Sequence, residues 1–101
     1  MLTLYLRYTL DPNKRAAYDA YVAAEMDPIT RSGGKIIGYF LPTDYAGATN
    51  EAHGLIEFPS LASYEQYRHT LAEDPAHKKN AAELERSGAV LSIVRSIVKR
   101  A

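Results

Sequence analysis

The chain of 101 residues predicts an α+β fold, a four-stranded antiparallel sheet with its helices on one face. Three observations predict it. The N-terminal segment alternates apolar residues at Leu2, Leu4, Leu6, Tyr8 and Leu10, and the C-terminal one is rich in β-branched residues at Val90, Ile93, Val94, Ile97 and Val98; both are strand signals. Segments with apolar residues three and four apart lie between them and read as amphipathic helices. Proline and glycine at Asp11-Pro12, Gly33-Gly34, Asp74-Pro75 and Gly88 mark where elements begin and stop.

In order along the chain, the first strand ends at Asp11-Pro12, where Asp is a good N-cap and Pro suits the first helical position. A helix follows from about Pro12 to Arg31. Tyr18, Tyr21, Val22, Glu25, Met26 and Ile29 share one face, and Asn13, Lys14, Asp19, Ala20 and Asp27 the other. Pro28 should kink or loosen the last turn, because it cannot donate to Ala24. Gly33-Gly34 stops the helix. Lys35 to Leu41 is the second strand, Thr43 to Ala52 a polar loop, and His53 to Phe58 the third strand. Ser60 caps a second helix whose face is Leu61, Tyr64, Tyr67, Arg68 and Leu71. Asp74-Pro75 restarts a short helix to about Arg86, and the fourth strand runs from Ala89 to Val98.

Composition bounds the function. A hydrophobic share of 47% and a charged share of 24% are those of a globular chain, not a disordered one, and the length predicts one domain. Twelve basic residues balance twelve acidic ones, so nothing in the charge favours nucleic acid. The absence of cysteine excludes disulfides, thiolate catalysis and cysteine zinc sites. No apolar run approaches the roughly 20 residues that span a bilayer. The alternating N-terminus reads as a strand instead of a signal sequence, which makes the cytoplasm the expected location.

The order strand, helix, strand, strand, helix, strand is the βαββαβ pattern of ferredoxin-like sandwiches, with sheet order 4-1-3-2. Leu2, Leu4, Leu6, Ile56, Phe58, Val90 and Val94 are expected under the helices. The open face would then carry Tyr5, Arg7, Leu55, Glu57, Leu91, Ile93, Arg95 and Ile97. That mixture is too apolar for a wetted face. It predicts a homodimer in which two sheets face each other as a dimeric α/β barrel.

Two segments, Gly33-Gly34-Lys35-Ile36-Ile37-Gly38-Tyr39-Phe40 and Leu55-Ile56-Glu57-Phe58-Pro59-Ser60-Leu61-Ala62-Ser63-Tyr64, carry a family likeness. Glu25-Met26-Asp27-Pro28, Tyr67-Arg68, Leu71 and Asp74-Pro75 extend it. In these residues the sequence resembles the NIPSNAP family, within the wider dimeric α/β-barrel group, from Leu2 to about Lys99. The resemblance implies the fold, a dimer and a pocket between sheet and helices or within the barrel. That wider group includes cofactor-independent monooxygenases, isomerases and haem-handling proteins, so the likeness implies no particular substrate, and no catalytic residue carries over from it.

The residues able to carry chemistry are few. Arg7 and Glu57 are expected on neighbouring strands of the open face, where two readings fit them. One is a partly buried ion pair that fixes register. The other is an anion-binding arginine beside a proton-transferring carboxylate. His53 shares that face and is a candidate general base, or a solvated histidine at a strand end. Tyr5, Tyr39 and Arg95 are candidate ligand-binding residues. Four tyrosines on helix faces, Tyr18, Tyr21, Tyr64 and Tyr67, suggest a partly polar helix–sheet seam. His69 and His77 match no metal spacing, and His77-Lys78-Lys79 reads as a solvated surface. No cofactor or metal is called for. The reading is therefore a binding protein for a small organic molecule, with a cofactor-independent oxygenase or isomerase as its enzymatic form. The alternative is a non-enzymatic dimeric binding or scaffold module.

Overall fold

A computed structural model describes residues 1–101. The strands are β1 (Leu2–Leu10), β2 (Lys35–Phe40), β3 (Glu51–Phe58) and β4 (Val90–Val98); the helices are α1 (Arg15–Arg31), α2 (Leu61–Glu73) and α3 (Pro75–Ser87). The sheet is antiparallel throughout, in the order β2-β3-β1-β4, as the sequence predicts. The core lies between the sheet and α1 and α2, around Leu4, Leu6, Tyr8, Leu10, Tyr18, Ile56 and Phe58.

The caps explain the boundaries. Asp11 accepts from Asn13 N–H and opens a single 3-10 turn, so α1 begins at Arg15, three residues later than expected. Ser60 caps α2 through Ser63 N–H, and Asp74 caps α3 through Ala76 and His77 N–H. At the end of α1, Gly33 N–H bonds Thr30 O and Gly34 N–H bonds Ile29 O. With Gly33 at φ 108°, this is a Schellman stop. Gly34 has a second reason to be glycine: a Cβ there would lie 2.9 Å from Ile56 and 3.0 Å from Ile29.

The C-terminal end of α1 is at Arg31 as expected, with Pro28 buried inside its last turn. Several expectations are corrected. Met26 points outward, while the carboxylate Glu25 is buried. β3 starts at Glu51, two residues before His53. The largest correction concerns β4. Leu10 pairs with Val90, but Thr9 pairs with Ser92, so Leu91 is an extra residue in the ladder. One inserted residue reverses which side chains face which way. Ile93, Arg95 and Ile97 therefore pair with Tyr8, Leu6 and Leu4 on the helix side, and Ser92, Val94, Ser96 and Val98 occupy the open face. A bulge at Ile37 likewise puts both Ile36 and Tyr39 on the helix side.

Substituting Gly34→Ala should cost about 1–3 kcal/mol through overpacking against Ile29, Ile56 and Tyr67. Urea unfolding checks this, and Gly33→Ala serves as a comparison in which only the backbone conformation is strained, since its Cβ would meet nothing.

Candidate active site in the helix–sheet seam

Each sequence-predicted site residue has a definite place. Arg7 and His53 are direct cross-strand partners on the open face. Tyr5 joins them there, its hydroxyl 2.9 Å from His53 Nδ1. The predicted pairing of Arg7 with Glu57 does not form. Register places Glu57 opposite Thr3, four residues along β1 from Arg7, and Glu57 meets Lys35 at 3.9 Å and Arg100 at 3.8 Å instead. Tyr39 and Arg95 face the opposite side of the sheet, where both line a cavity of about 160 Å³ under the helices. The six residues thus fall into two groups separated by the sheet.

The cavity is the more elaborate of the two places. Its walls include Tyr8 from β1, Tyr21 and Glu25 from α1, Tyr67 and Arg68 from α2, and His77 from α3. The centre of the arrangement is Glu25, 1% exposed. A buried carboxylate is costly unless its oxygens are bonded. Here Oε2 accepts from the Tyr21 hydroxyl at 3.1 Å and meets His77 Nδ1 at 2.5 Å, and Oε1 accepts from Asn80 Nδ2 at 3.2 Å. An ionised carboxylate only accepts, so in this contact Nδ1 of His77 donates and Nε2 is the ring nitrogen not bonded to Glu25.

Local sequence explains why these groups meet. Pro28 has no N–H to offer Ala24, and Asn80 Nδ2 donates to that vacant carbonyl at 3.1 Å. The same amide group reaches Glu25, so one side chain ties α3 to α1 at two points. Asp74 fixes the first turn of α3, which carries His77, and is itself held by Arg31 at the end of α1 at 3.1 Å. Gly54 opposes Tyr39 in the sheet, and a Cβ at Gly54 would lie 2.8 Å from the Tyr39 ring. Its absence lets that ring lie across β3 at the cavity.

The phenols are protonated donors. Burial raises Tyr8 above its ordinary value of 10.0, with the Tyr39 hydroxyl and Arg95 acting against it. Burial also pushes Tyr39 up, reinforced by Tyr8 and Tyr21, and Tyr21 up, reinforced by Tyr8 and Glu25. Tyr67 and Tyr18 rise for the same leading reason. Arg68 donates to the Tyr64 hydroxyl at 3.1 Å, whereas Arg95 has no ion-pair partner. The site combines a histidine held by a carboxylate, neutral hydroxyl donors and an unpaired cation. That set suits proton transfer at a carbon next to a developing oxyanion. No three His, Cys, Asp or Glu side chains come together as a metal-binding group.

Sequence reasoning missed Glu25, His77, Tyr8 and Asn80 as site residues. The available signal was Glu25 itself, a carboxylate in the middle of an apolar helix stripe. His77 gave none, because its partner is 52 residues away in sequence.

The sheet order and the helix–sheet cavity define a ferredoxin-like α+β domain with its candidate site in the seam. The NIPSNAP family model matches residues 5–101, and the chain belongs to that family. Among solved structures, a NIPSNAP family protein of unknown function from Agrobacterium tumefaciens is 22% identical with TM-score 0.87, over 100% of this chain and 88% of that one. An uncharacterised NIPSNAP domain protein from Burkholderia xenovorans is 16% identical with TM-score 0.84, over 100% and 95%. A Nitrosomonas europaea protein provisionally assigned as an antibiotic biosynthesis monooxygenase is 8% identical with TM-score 0.74, over 99% and 98%. These likenesses concern the fold. No curated protein matches the sequence. No helix is long and apolar enough to cross a membrane.

Two outcomes are expected. Asn80→Ala leaves the Ala24 carbonyl and one Glu25 oxygen without their donor, and should cost about 1–3 kcal/mol in chemical denaturation. The pH dependence follows from the five raised phenols. In the unfolded chain they ionise near 10.0, and in the folded chain only above it. Above that pH the unfolded state holds fewer protons, so stability is full below it and falls as pH rises beyond it. Tyrosinate absorbance and circular dichroism followed together should show these phenols ionising as the chain unfolds.

Proposed function

We propose that the chain binds a small oxygenated organic molecule in the helix–sheet cavity and moves a proton on it without a cofactor. The observation that carries this reading is the Glu25–His77 contact on the wall of a cavity lined by hydroxyl donors. His77 Nε2 takes a proton from a carbon beside a carbonyl. The electron pair moves to the carbonyl oxygen, which the phenols of Tyr8 and Tyr39 stabilise as an enolate. Return of the proton to a different atom gives an isomerisation. Capture of the same enolate by dioxygen is the oxygenase form of the chemistry, and the shared fold of the Nitrosomonas protein is compatible with it. The test is deuterium incorporation from D₂O into small carbonyl compounds, read by NMR. Wild type should catalyse exchange in at least one of them. His77→Gln should abolish it, and Glu25→Gln should lower it by about 10²-fold or more. Exchange that survives His77→Gln would refute the assignment.

The open sheet face favours a second, non-enzymatic role as a homodimeric module. Phe40 (50% exposed), Val94 (46%) and Val98 (44%) are apolar and uncovered there, beside the Tyr5–His53 pair and Arg7. We infer that a second copy covers this face. Sedimentation at micromolar concentration should give a dimer, and Val94→Glu should give a folded monomer. A monomeric wild type contradicts the inference.

A further inference from the structure

A second, more open space of about 490 Å³ lies between α3 and β4, walled by Ala81, Leu84, Val90 and Ile93. Tyr8, Tyr21, His77 and Arg95 line this cleft and the inner cavity alike. The two spaces are therefore neighbours across the residues that would do the chemistry. The inner one holds the Glu25–His77 contact and the Tyr39 and Tyr67 rings, whereas the outer one adds the aliphatic side chains of Ala81, Leu84, Val90 and Ile93 and the carboxylate of Glu85. Its shape depends on the Leu91 bulge, which turns Ile93 and Arg95 toward the helices instead of toward the open face. Arg95 stands at the junction with no ion-pair partner.

We propose that the outer cleft is the subsite for an apolar tail, and that the ligand is an oxo acid whose carboxylate meets Arg95 and whose carbonyl faces the tyrosine hydroxyls. This inference rests on the proton-transfer reading of the inner cavity and adds the class of compound. A guanidinium without a protein partner at the mouth of a cavity is matched by a carboxylate. The aliphatic wall of the cleft that the same guanidinium lines is matched by a hydrocarbon chain. The carbon between carbonyl and tail is the one that would lose its proton, and this placement sets it beside His77, which lines both spaces.

The experiment measures the affinity of pyruvate, 2-oxobutanoate, 2-oxohexanoate and 2-oxooctanoate by calorimetry. Affinity should rise by about three- to fourfold per added methylene from the four-carbon to the eight-carbon acid. Ala81→Phe, which fills the cleft from a position outside the inner cavity, should flatten that series and leave pyruvate binding unchanged. Ile93→Thr trims the opposite wall and should reduce the slope if the first variant folds poorly. Arg95→Gln should weaken every member by a similar factor. Binding of pyruvate that depends on His77 but does not improve with chain length overturns the tail subsite and leaves the proton-transfer reading standing. Failure of all four acids to bind overturns the oxo-acid assignment, while deuterium exchange into other carbonyl compounds still decides the inner site.

Discussion

A buried carboxylate between two helices is the constraint on which the rest of this structure depends. Glu25 is sealed in the seam between α1 and α3, and burying its charge is tolerable only because Tyr21, His77 and Asn80 bond to it. The dependence runs both ways. No residue of α3 is fully buried, so apolar packing alone holds that helix weakly. Its placement rests on polar links: Arg31 to Asp74, Glu25 to His77, and Asn80 to the carbonyl that Pro28 leaves free. The proline that a propensity argument treats as a defect in α1 thus supplies the acceptor that helps dock α3.

Two inserted residues shape the site as much as the carboxylate does. A ladder without the Leu91 bulge would send Arg95 and Ile93 through to the open face, and the cavity would lose the Arg95 guanidinium. The bulge at Ile37 does the same service for Tyr39, allowing Ile36 and Tyr39 to share a face although they lie an odd three positions apart. Bulges re-aim side chains in this way at the rims of functional sites. The result is a division of labour between the two faces of one sheet. The helix side gathers the phenols, His77 and Arg95, and the open side retains Arg7, His53 and the exposed apolar side chains of Phe40, Val94 and Val98.

The order of elements was legible because its signals are local. Asp11-Pro12, Ser60, Asp74-Pro75 and Gly33-Gly34 act on their own neighbours, and each made the cap or stop its chemistry demands. The sheet order followed from connectivity. The site was only partly legible. Tyr39 and Arg95, named as candidates by residue type, line the cavity, but Arg95 does so from the side of the sheet opposite to the one expected. The pairing of Arg7 with Glu57 failed because strand register depends on two sequences at once, and the faces of β4 were exchanged because nothing local announces one extra residue near Leu91. His77 sits in a lysine-rich run that reads as solvated surface, and only the tertiary approach of α1 gives it a partner. The misplaced carboxylate in the α1 stripe was the one visible trace of that approach.

The central claim is that Glu25 holds His77 in a fixed protonation geometry, with Nδ1 donating and Nε2 free. Nitrogen-15 NMR of the imidazole rings reads this directly. The account predicts that neutral His77 carries its proton on Nδ1 in the wild type and loses that preference in Glu25→Gln. A wild-type His77 protonated on Nε2, or a tautomer unaffected by the loss of the carboxylate, would contradict it.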